Sequence, residues 1–372
     1  MKLAGFRARR RQAAERLLEE LLSCPEDERH DRLQGERFQN PHLFFLLVEA
    51  GHEALPGDPR GAGEILNLAI CLATLLDEKE GLHLEIGGEG YSRALCLAGT
   101  ARRLLGDFAK AEPAFERAGC LTVSALGRAF FCRALAVLRW DQGRSEEAAA
   151  LLHHAQRRYG EGQDLREEAV CLALLGMLHV DTVEPWRAVP FLREASQGID
   201  SERRPWLAVQ CCLGLAFCHA FAGEAERARS ARRRAKSHYG QLSEEEALLS
   251  RWLEGRTATL AGDDEEAVEL LESAWRSLIE RRRLAEATFA TIDLGLLWSN
   301  QGRGAKVREL IEELKVAFFN QPGFKIAISA LETMADDAAA GRLDRDLWSC
   351  LSQPLRMAFR WQGVSFRPLP FV

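Results

Sequence analysis

The side chains best suited to bind a metal lie in one short segment that contains Cys211, Cys212, Cys218 and His219. Thiolates and imidazole nitrogens are the usual ligands of zinc, and a zinc-binding helix places two of them about four residues apart. Here Cys211 and Cys218 are seven residues apart, inside an apolar run typical of a buried helix. We therefore predict that these cysteines pack in a hydrophobic core, and that the chain binds no metal and no cofactor.

The standard catalytic and phosphate-binding motifs are absent from the sequence. It contains no Gly-x-Ser-x-Gly, no His-Glu-x-x-His and no Walker-type glycine loop that ends in Lys-Ser or Lys-Thr. The glycine-rich stretch 87–90 follows no strand pattern and lacks the third glycine of a dinucleotide fingerprint, so we interpret it as a flexible linker. His153 and His154 have no carboxylate placed to orient them, and we expect them at the surface or partly buried. These observations indicate a protein that is not an enzyme.

Three arginine-rich runs, 9–11, 227–236 and 281–283, offer positive charge to a partner. In the middle run the arginines alternate with Ala228, Ala231 and Ala235, which form a stripe on one helical face. We expect the alanines to pack and the arginines to point outward into solvent, with an acidic protein partner as the alternative. Nucleic acid is the weakest candidate, because no aromatic residues alternate with these charges and the net charge is −6.

The composition is that of a globular protein without a membrane span. Hydrophobic residues make up 47% and charged residues 28% of the 372 residues, and no apolar run approaches the ~18 residues of a span. The N-terminal segment mixes both signs of charge and lacks the apolar region of a signal peptide. Most of the 10 cysteines lie in apolar helical runs, which favours free, buried thiols. By exclusion we expect a cytoplasmic protein.

A six-residue phrase recurs along the chain: a glycine, then polar residues, then an alanine five positions after the glycine. From residue 106 onward, successive copies start 37, 40, 40, 39 and 40 residues apart, and an earlier copy precedes them by 49 residues. The fourth copy lacks its glycine and the last one ends in valine. The copies occupy residues 57–62, 106–111, 143–148, 183–188, 223–228, 262–267 and 302–307.

This phrase has the properties of the turn in a helical hairpin. Glycine tolerates the left-handed backbone that ends one helix, and acidic residues favour the N-terminus of the next. The alanine lets the two helices approach closely. A small residue stands seven positions before each turn, at Gly99, Ala136, Gly176, Ala216, Gly255 and Gly295. Core positions follow the alanine by four and seven residues, at Phe115, Ala118, Leu152, Ala155, Leu192, Ala195, Leu271 and Ala274.

A small residue, turn glycine, alanine and large apolar residue at these offsets resemble the tetratricopeptide repeat. That family has a period of about 34 residues, and the longer period here is similar to that of arrays in bacterial regulators. The resemblance covers about residues 40–320 and implies an all-α, right-handed α-solenoid of about seven helix-turn-helix repeats with helical caps. We expect an N-terminal cap over 1–40, the array over 41–320, and a C-terminal region over 321–372 with helices at 324–340 and 344–362 before an extended tail.

In arrays of this family the first helix of each repeat lines a concave groove that binds peptides. The resemblance implies a scaffold or adaptor that holds another protein. Because the candidate groove positions are rich in arginine toward the N-terminal half and in aromatic residues toward the C-terminal half, we expect a partner segment that is acidic and apolar. The alternative is a regulatory or sensor subunit that controls a separately encoded effector. The oligomeric state is not indicated. Carried over position by position, the candidate partner-binding residues are Arg93, Arg103, Arg133, Trp140, Met177, Phe217, Phe221, Trp252 and Arg256, with Thr100 and Val137 beside them.

Overall fold

The computed structural model describes residues 2–77, 83–180, 185–303, 305–321, 324–340 and 342. Within these ranges the regular structure is entirely helical, with seventeen α-helices, three short 3₁₀ turns and no strand. The chain divides into two compact units, one that reaches Arg139 and one that begins at Trp140. Helices follow one another as hairpins, so the architecture is the all-α solenoid that the repeat predicted.

The first unit has one continuous hydrophobic core. Helix α3 packs on α4, α4 on α5, and α5 on α6, and the core extends from Ala14 to Leu104. The polar stretch 25–40 contains a helix that the sequence analysis did not predict, and its Leu33 is fully buried in this core. The helices are α1 (Lys2–Ser23), α2 (Glu26–Leu33), α3 (Pro41–Ala54), α4 (Pro59–Asp77), α5 (His83–Leu104), α6 (Phe108–Leu121) and α7 (Ala125–Asp141), whose last two residues belong to the second unit.

The second unit continues the pattern of hairpins. Its helices are α8 (Ser145–Glu161), α9 (Leu165–Val180), α10 (Ala188–Gly198), α11 (Pro205–Phe221), α12 (Ala225–Lys236), α13 (Glu244–Ala261), α14 (Asp264–Glu280), α15 (Leu284–Asn300), α16 (Lys306–Phe318) and α17 (Phe324–Ala339). Within the hairpins α9 packs on α10, α11 on α12, α13 on α14, and α15 on α16. A helix, α17, lies at the predicted position 324–340, and its role as a cap stays a prediction. The predicted helix at 344–362 and the tail lie outside the described residues.

The turn glycines have the backbone conformation that a hairpin requires. Five of them have φ between 70° and 78°, a region that L side chains rarely adopt: Gly106, Gly143, Gly223, Gly262 and Gly302. In the first copy of the phrase Gly57 has no positive φ, so that turn has a different geometry. Part of the copy at 183–188 lies outside the described residues.

The close approach of paired helices is confirmed at the small residues. A Cβ built on Gly255 would lie 2.7 Å from the Leu271 Cγ, and one on Gly176 would lie 2.5 Å from the Leu192 Cγ. Both leucines are predicted core positions, and both are fully buried. The alanines of the phrase are also fully buried: Ala62, Ala111, Ala148, Ala188, Ala228 and Ala267. The predicted register of these hairpins is therefore correct.

The flexible linker predicted at 87–90 is wrong for residues 88–90, which are helical, while Gly87 breaks the helical backbone of α5. Gly87 has φ 66° and ψ 163°, and the helix resumes directly after it. The Glu89 carboxylate accepts hydrogen bonds from the backbone N–H of Val123, at 2.9 Å, and of Ser124. Burial raises the pKa of Glu89, but these hydrogen bonds outweigh burial and hold the pKa below its usual value. Glu89 thus holds the backbone just before α7, and the Ser124 hydroxyl caps that helix by accepting a hydrogen bond from the Gly127 N–H at 2.9 Å.

Most of the described thiols lie in the core, as predicted. Of the nine described cysteines, all are free and seven are buried. Cys211, Cys212 and Cys218 lie in the interior of the second unit, where the Cys218 Sγ donates a hydrogen bond to the Pro185 carbonyl oxygen at 3.1 Å. Burial raises the pKa of Cys218 to about 12, as expected for an apolar site.

Candidate functional site

Three of the predicted partner-binding residues come together in the second unit around an aspartate. Helix α11 carries Phe217, α13 carries Trp252 and Arg256, and α15 carries Asp293. These are the first helices of three successive hairpins, and α13 packs against both α11 and α15. We refer to these four residues as the tetrad.

Helix α13 is positioned by a capping box at its N-terminus. The Ser243 side chain accepts a hydrogen bond from the Glu246 N–H at 3.3 Å, and the Glu246 carboxylate accepts one from the Ser243 N–H at 2.8 Å. The helix then presents Trp252 and Arg256, four residues apart, on one face. Its C-terminus is closed by Gly262 in the left-handed conformation.

The tetrad is a bonded cluster at the edge of the core. The Trp252 Nε1 donates a hydrogen bond to the Asp293 Oδ2 at 2.8 Å, and the Arg256 Nε lies 3.3 Å from the Asp293 Oδ1. The Arg256 Cζ is 5.6 Å from the ring centroid of Phe217 and 5.7 Å from that of Trp252. Cation–π contacts of this kind each contribute roughly 0.5–1 kcal/mol or more when desolvated. Trp252 is buried, whereas the Arg256 side chain keeps 24% of its surface exposed.

The outer edge of the Arg256 guanidinium remains available. Its Nε side faces Asp293, and among the described residues none accepts a hydrogen bond from its two Nη atoms. Arg229 in the same unit is different, because its Nε and Nη2 both donate to Asp263, at 3.0 and 2.7 Å. Arg256 therefore has unused donors in the planar arrangement that binds carboxylates.

Apolar side chains lie on the same first helices. Phe221 follows Phe217 by one turn of α11 and is 51% exposed. Met177 lies half-buried on α9, which packs against α11. Exposed aromatic and methionine side chains are typical of surfaces that bind a partner.

The opposite face of α13 is held by a buried ion cluster. Arg232 of α12 is 4% exposed and pairs with Asp263 at 2.9 Å, with Glu266 at 2.6 Å and with Glu254 at 3.6 Å. The prediction that every arginine of this run points into solvent is therefore wrong for Arg232. Its charge is tolerated in the interior because carboxylates on α13 and around the start of α14 neutralise it.

Glu254 is the most buried member of this ion cluster, at 1% exposure. Lys236 lies 2.9 Å from its Oε1, and the Tyr239 hydroxyl donates a hydrogen bond to its Oε2 at 3.0 Å. Burial and the neighbouring Glu254 charge raise the pKa of Tyr239 above its usual range, so the phenol remains a donor. Hydrogen bonds from Arg229 lower the pKa of Asp263. The cluster ties α12, α13 and α14 together.

In the first unit the predicted residues divide between surface and interior. Arg93 is exposed and its Cζ lies 4.7 Å from the ring centroid of Phe130, while the Arg133 Cζ lies 5.5 Å from the same centroid. Arg133 and Arg103 are buried, at 3% and 1% exposure, so neither presents its charge at the surface as the groove assignment expected. Trp140, at the start of the second unit, is half-buried.

Asp293, the centre of the tetrad, was missed by the sequence analysis. It lies 41 residues after Trp252, in the next repeat. One feature of the sequence could have revealed it: Asp293 is the single charged residue in the apolar run 287–300. A lone carboxylate in such a run needs a partner, because an unpaired buried charge is strongly disfavoured.

The described part of the chain contains neither a cluster of metal-ligating side chains nor a helix that could span a membrane. No group of three or more histidine, cysteine or acidic side chains there is arranged to hold a metal ion. None of the described helices combines the length and the apolar composition needed to cross a membrane.

Comparison with known proteins shows the fold. No protein-family model matches the chain, and no curated protein matches it. Among solved structures, a Rap protein in complex with competence and sporulation factor is similar, with a TM-score of 0.60 and 13% identity, over 87% of this chain and 97% of that one. BtubC from P. vanneervenii gives a TM-score of 0.46 and 18% identity, over 62% of this chain and 90% of that one. The first likeness supports a helical-repeat solenoid.

Proposed function

We propose that this chain is a tetratricopeptide-like scaffold without catalytic activity, which binds a segment of another protein along the first helices of its second unit. The observation that carries this proposal is the tetrad. It braces a partly exposed arginine whose Nη donors have no acceptor among the described residues, and the exposed Phe221 lies one turn along α11 from Phe217 of the tetrad. Arginine and aromatic side chains contribute most of the energy of many protein interfaces.

The partner that fits this surface is a segment with acidic and apolar side chains. Arg256 would form charge-assisted hydrogen bonds with a carboxylate, and Phe221 and Met177 would contact the apolar groups. A nucleic acid fits less well, because the tetrad contains one cation beside one carboxylate and the net charge of the chain is −6. The similar Rap protein was solved with a bound factor, which supports partner binding by this fold. If the chain is instead a regulatory or sensor subunit, it would bind its separately encoded effector through the same surface.

Selection from a random peptide library tests the proposal. The immobilised parent protein should enrich peptides that combine Asp or Glu with large apolar residues. Fluorescence anisotropy should then show weaker binding by Arg256→Gln, and binding by the parent should weaken as salt is raised. Arg276→Gln, an exposed arginine on α14 whose partner is Glu272, is the matched control and should bind like the parent. Enriched peptides that bind Arg256→Gln as tightly as the parent would show that the tetrad is not the site.

A further inference from the structure

The orientation of Arg256 indicates how it would meet a ligand. An arginine can bind a carboxylate side-on, through Nε and one Nη, or end-on, through both Nη atoms. This chain uses the side-on mode internally, since the Arg144 Nε and Nη2 donate to the two oxygens of Glu147, each at 2.6 Å. The tetrad disfavours that mode for an incoming ligand at Arg256, because the Asp293 Oδ1 lies 3.3 Å from Nε and its negative charge repels a second carboxylate on that side.

Asp293 itself has little freedom to move away. Its Oδ2 accepts the indole hydrogen bond of Trp252 at 2.8 Å, and the Trp252 side chain is 7% exposed. The Arg256 Cζ also lies 5.6 Å from the ring centroid of Phe217 and 5.7 Å from that of Trp252. These contacts restrict rotation of the Arg256 side chain, so its two Nη atoms are held at the exposed edge.

From this geometry we infer that Arg256 recognises a carboxylate end-on through its Nη1 and Nη2 groups, with Asp293 as the positioning residue that holds the Nε side. The inference rests on the proposed function and specifies the chemical group that the site takes. The carboxylate belongs either to an acidic side chain or to the C-terminus of the bound segment. In both cases recognition depends on the planar pair of donors and not on positive charge alone.

Three small blocked probes separate the sources of the carboxylate. N-acetyl-phenylalanine has a terminal carboxylate, N-acetyl-aspartyl-phenylalanine amide has a side-chain carboxylate, and N-acetyl-asparaginyl-phenylalanine amide has none. Each is titrated into full-length protein labelled with 5-fluorotryptophan, and the Trp252 resonance is assigned with Trp252→Phe. We expect a saturable shift of that resonance with at least one charged probe, at a dissociation constant about tenfold or more below that of the neutral probe.

Arg256→Lys distinguishes the donor pair from simple charge, because lysine keeps the charge and loses the planar geometry. We expect this variant to bind the charged probe about tenfold more weakly than the parent. The inference is overturned if Arg256→Lys binds like the parent, if the neutral probe binds as tightly as the charged ones, or if no probe shifts the Trp252 resonance up to its solubility limit. The proposed function survives each of these results provided that selected peptides still require Arg256.

Asp293→Asn tests the positioning role. Asparagine can still accept the Trp252 hydrogen bond but does not pair with the guanidinium. If Asp293 orients Arg256, the ratio of the affinities for the charged and neutral probes falls several-fold, whereas a merely structural role changes both affinities equally. A rise in this ratio would mean that Asp293 acts only as a negative charge that repels the ligand, which would overturn its positioning role.

Discussion

The indole Nε1 of Trp252 and the carboxylate of Asp293 form a hydrogen bond of 2.8 Å between the first helices of two successive hairpins. A second residue of α13, Arg256, reaches the other oxygen of the same carboxylate. One side chain of α15 thereby determines the orientation of two side chains of α13. Binding at this surface should therefore depend on bonds within the tetrad as well as on contacts with the ligand.

Trp252→Phe should shorten the lifetime of the complex with a selected acidic–apolar peptide. The ring remains, but the hydrogen bond that holds the Asp293 carboxylate is lost. Asp293 and Arg256 are then less well ordered before the ligand binds, so we expect a several-fold faster dissociation. Trp275→Phe is the matched control, because it removes an indole hydrogen bond to Thr291 in a buried contact between α14 and α15. Surface plasmon resonance checks the rates. Equal dissociation rates for the two variants would contradict the role of Trp252.

Arg232→Met should destabilise the second unit by about 3 kcal/mol, because it leaves the buried Glu254 without one of its cations. Arg227→Met, at a side chain that is 69% exposed, should change the free energy of unfolding by no more than about 0.5 kcal/mol. Urea denaturation measures both. The double variant Arg232→Met/Glu254→Met should lose less free energy of unfolding than the sum of the losses in the two single variants. Additive losses would show that the two charges do not interact.

Gly176→Ala should destabilise the protein by about 1–3 kcal/mol, because the new Cβ would lie 2.5 Å from Leu192 in the α9–α10 contact. Gly63→Ala provides the control within helix α4. Its Cβ would lie at an ordinary contact distance of 3.5 Å from the Ala101 Cβ. The higher helix propensity of alanine should therefore raise the free energy of unfolding of the protein by about 0.5–1 kcal/mol. Thermal unfolding followed by circular dichroism measures both variants and shows whether each substitution lowers or raises the stability. Stabilisation by Gly176→Ala would mean that the helices are not in close contact there.

His179 should make the second unit less stable as the pH falls below neutrality. Burial, and then the charges of His153 and Arg187, lower the pKa of His179 from 6.5. Protonation therefore favours the unfolded state, and the stability that neutral His179 contributes above pH 6.5 is lost as the pH falls toward its folded-state pKa. Urea denaturation at pH 7 and about pH 5 should show this loss, and His179→Gln should reduce it. His30→Gln, at an exposed histidine, should not.

The fold follows from relationships within about 40 residues of sequence. The left-handed φ of Gly262, the buried Ala267 and the contact between Gly255 and Leu271 all belong to one hairpin. These features depend on local properties: the conformational freedom of glycine, the helical periodicity of apolar residues and the size of side chains. Residues with these properties therefore predict a hairpin wherever they recur at the same spacing. The resemblance to the tetratricopeptide repeat, carried over position by position, also implied that Phe217, Trp252 and Arg256 lie on the groove faces of first helices.

The sequence by itself determined the helical hairpins, their turns and the small residues at their contacts. Only the tertiary structure decided which polar side chains meet between hairpins. Asp293 joins Trp252 from the next repeat, and Arg232 enters the interior because Glu254 and Asp263 are there to neutralise it. Pairings of this kind depend on how helices pack against one another and on the balance between desolvation and ion pairing at each position. The spacing of residues along a single helix determines neither the packing between helices nor this energetic balance.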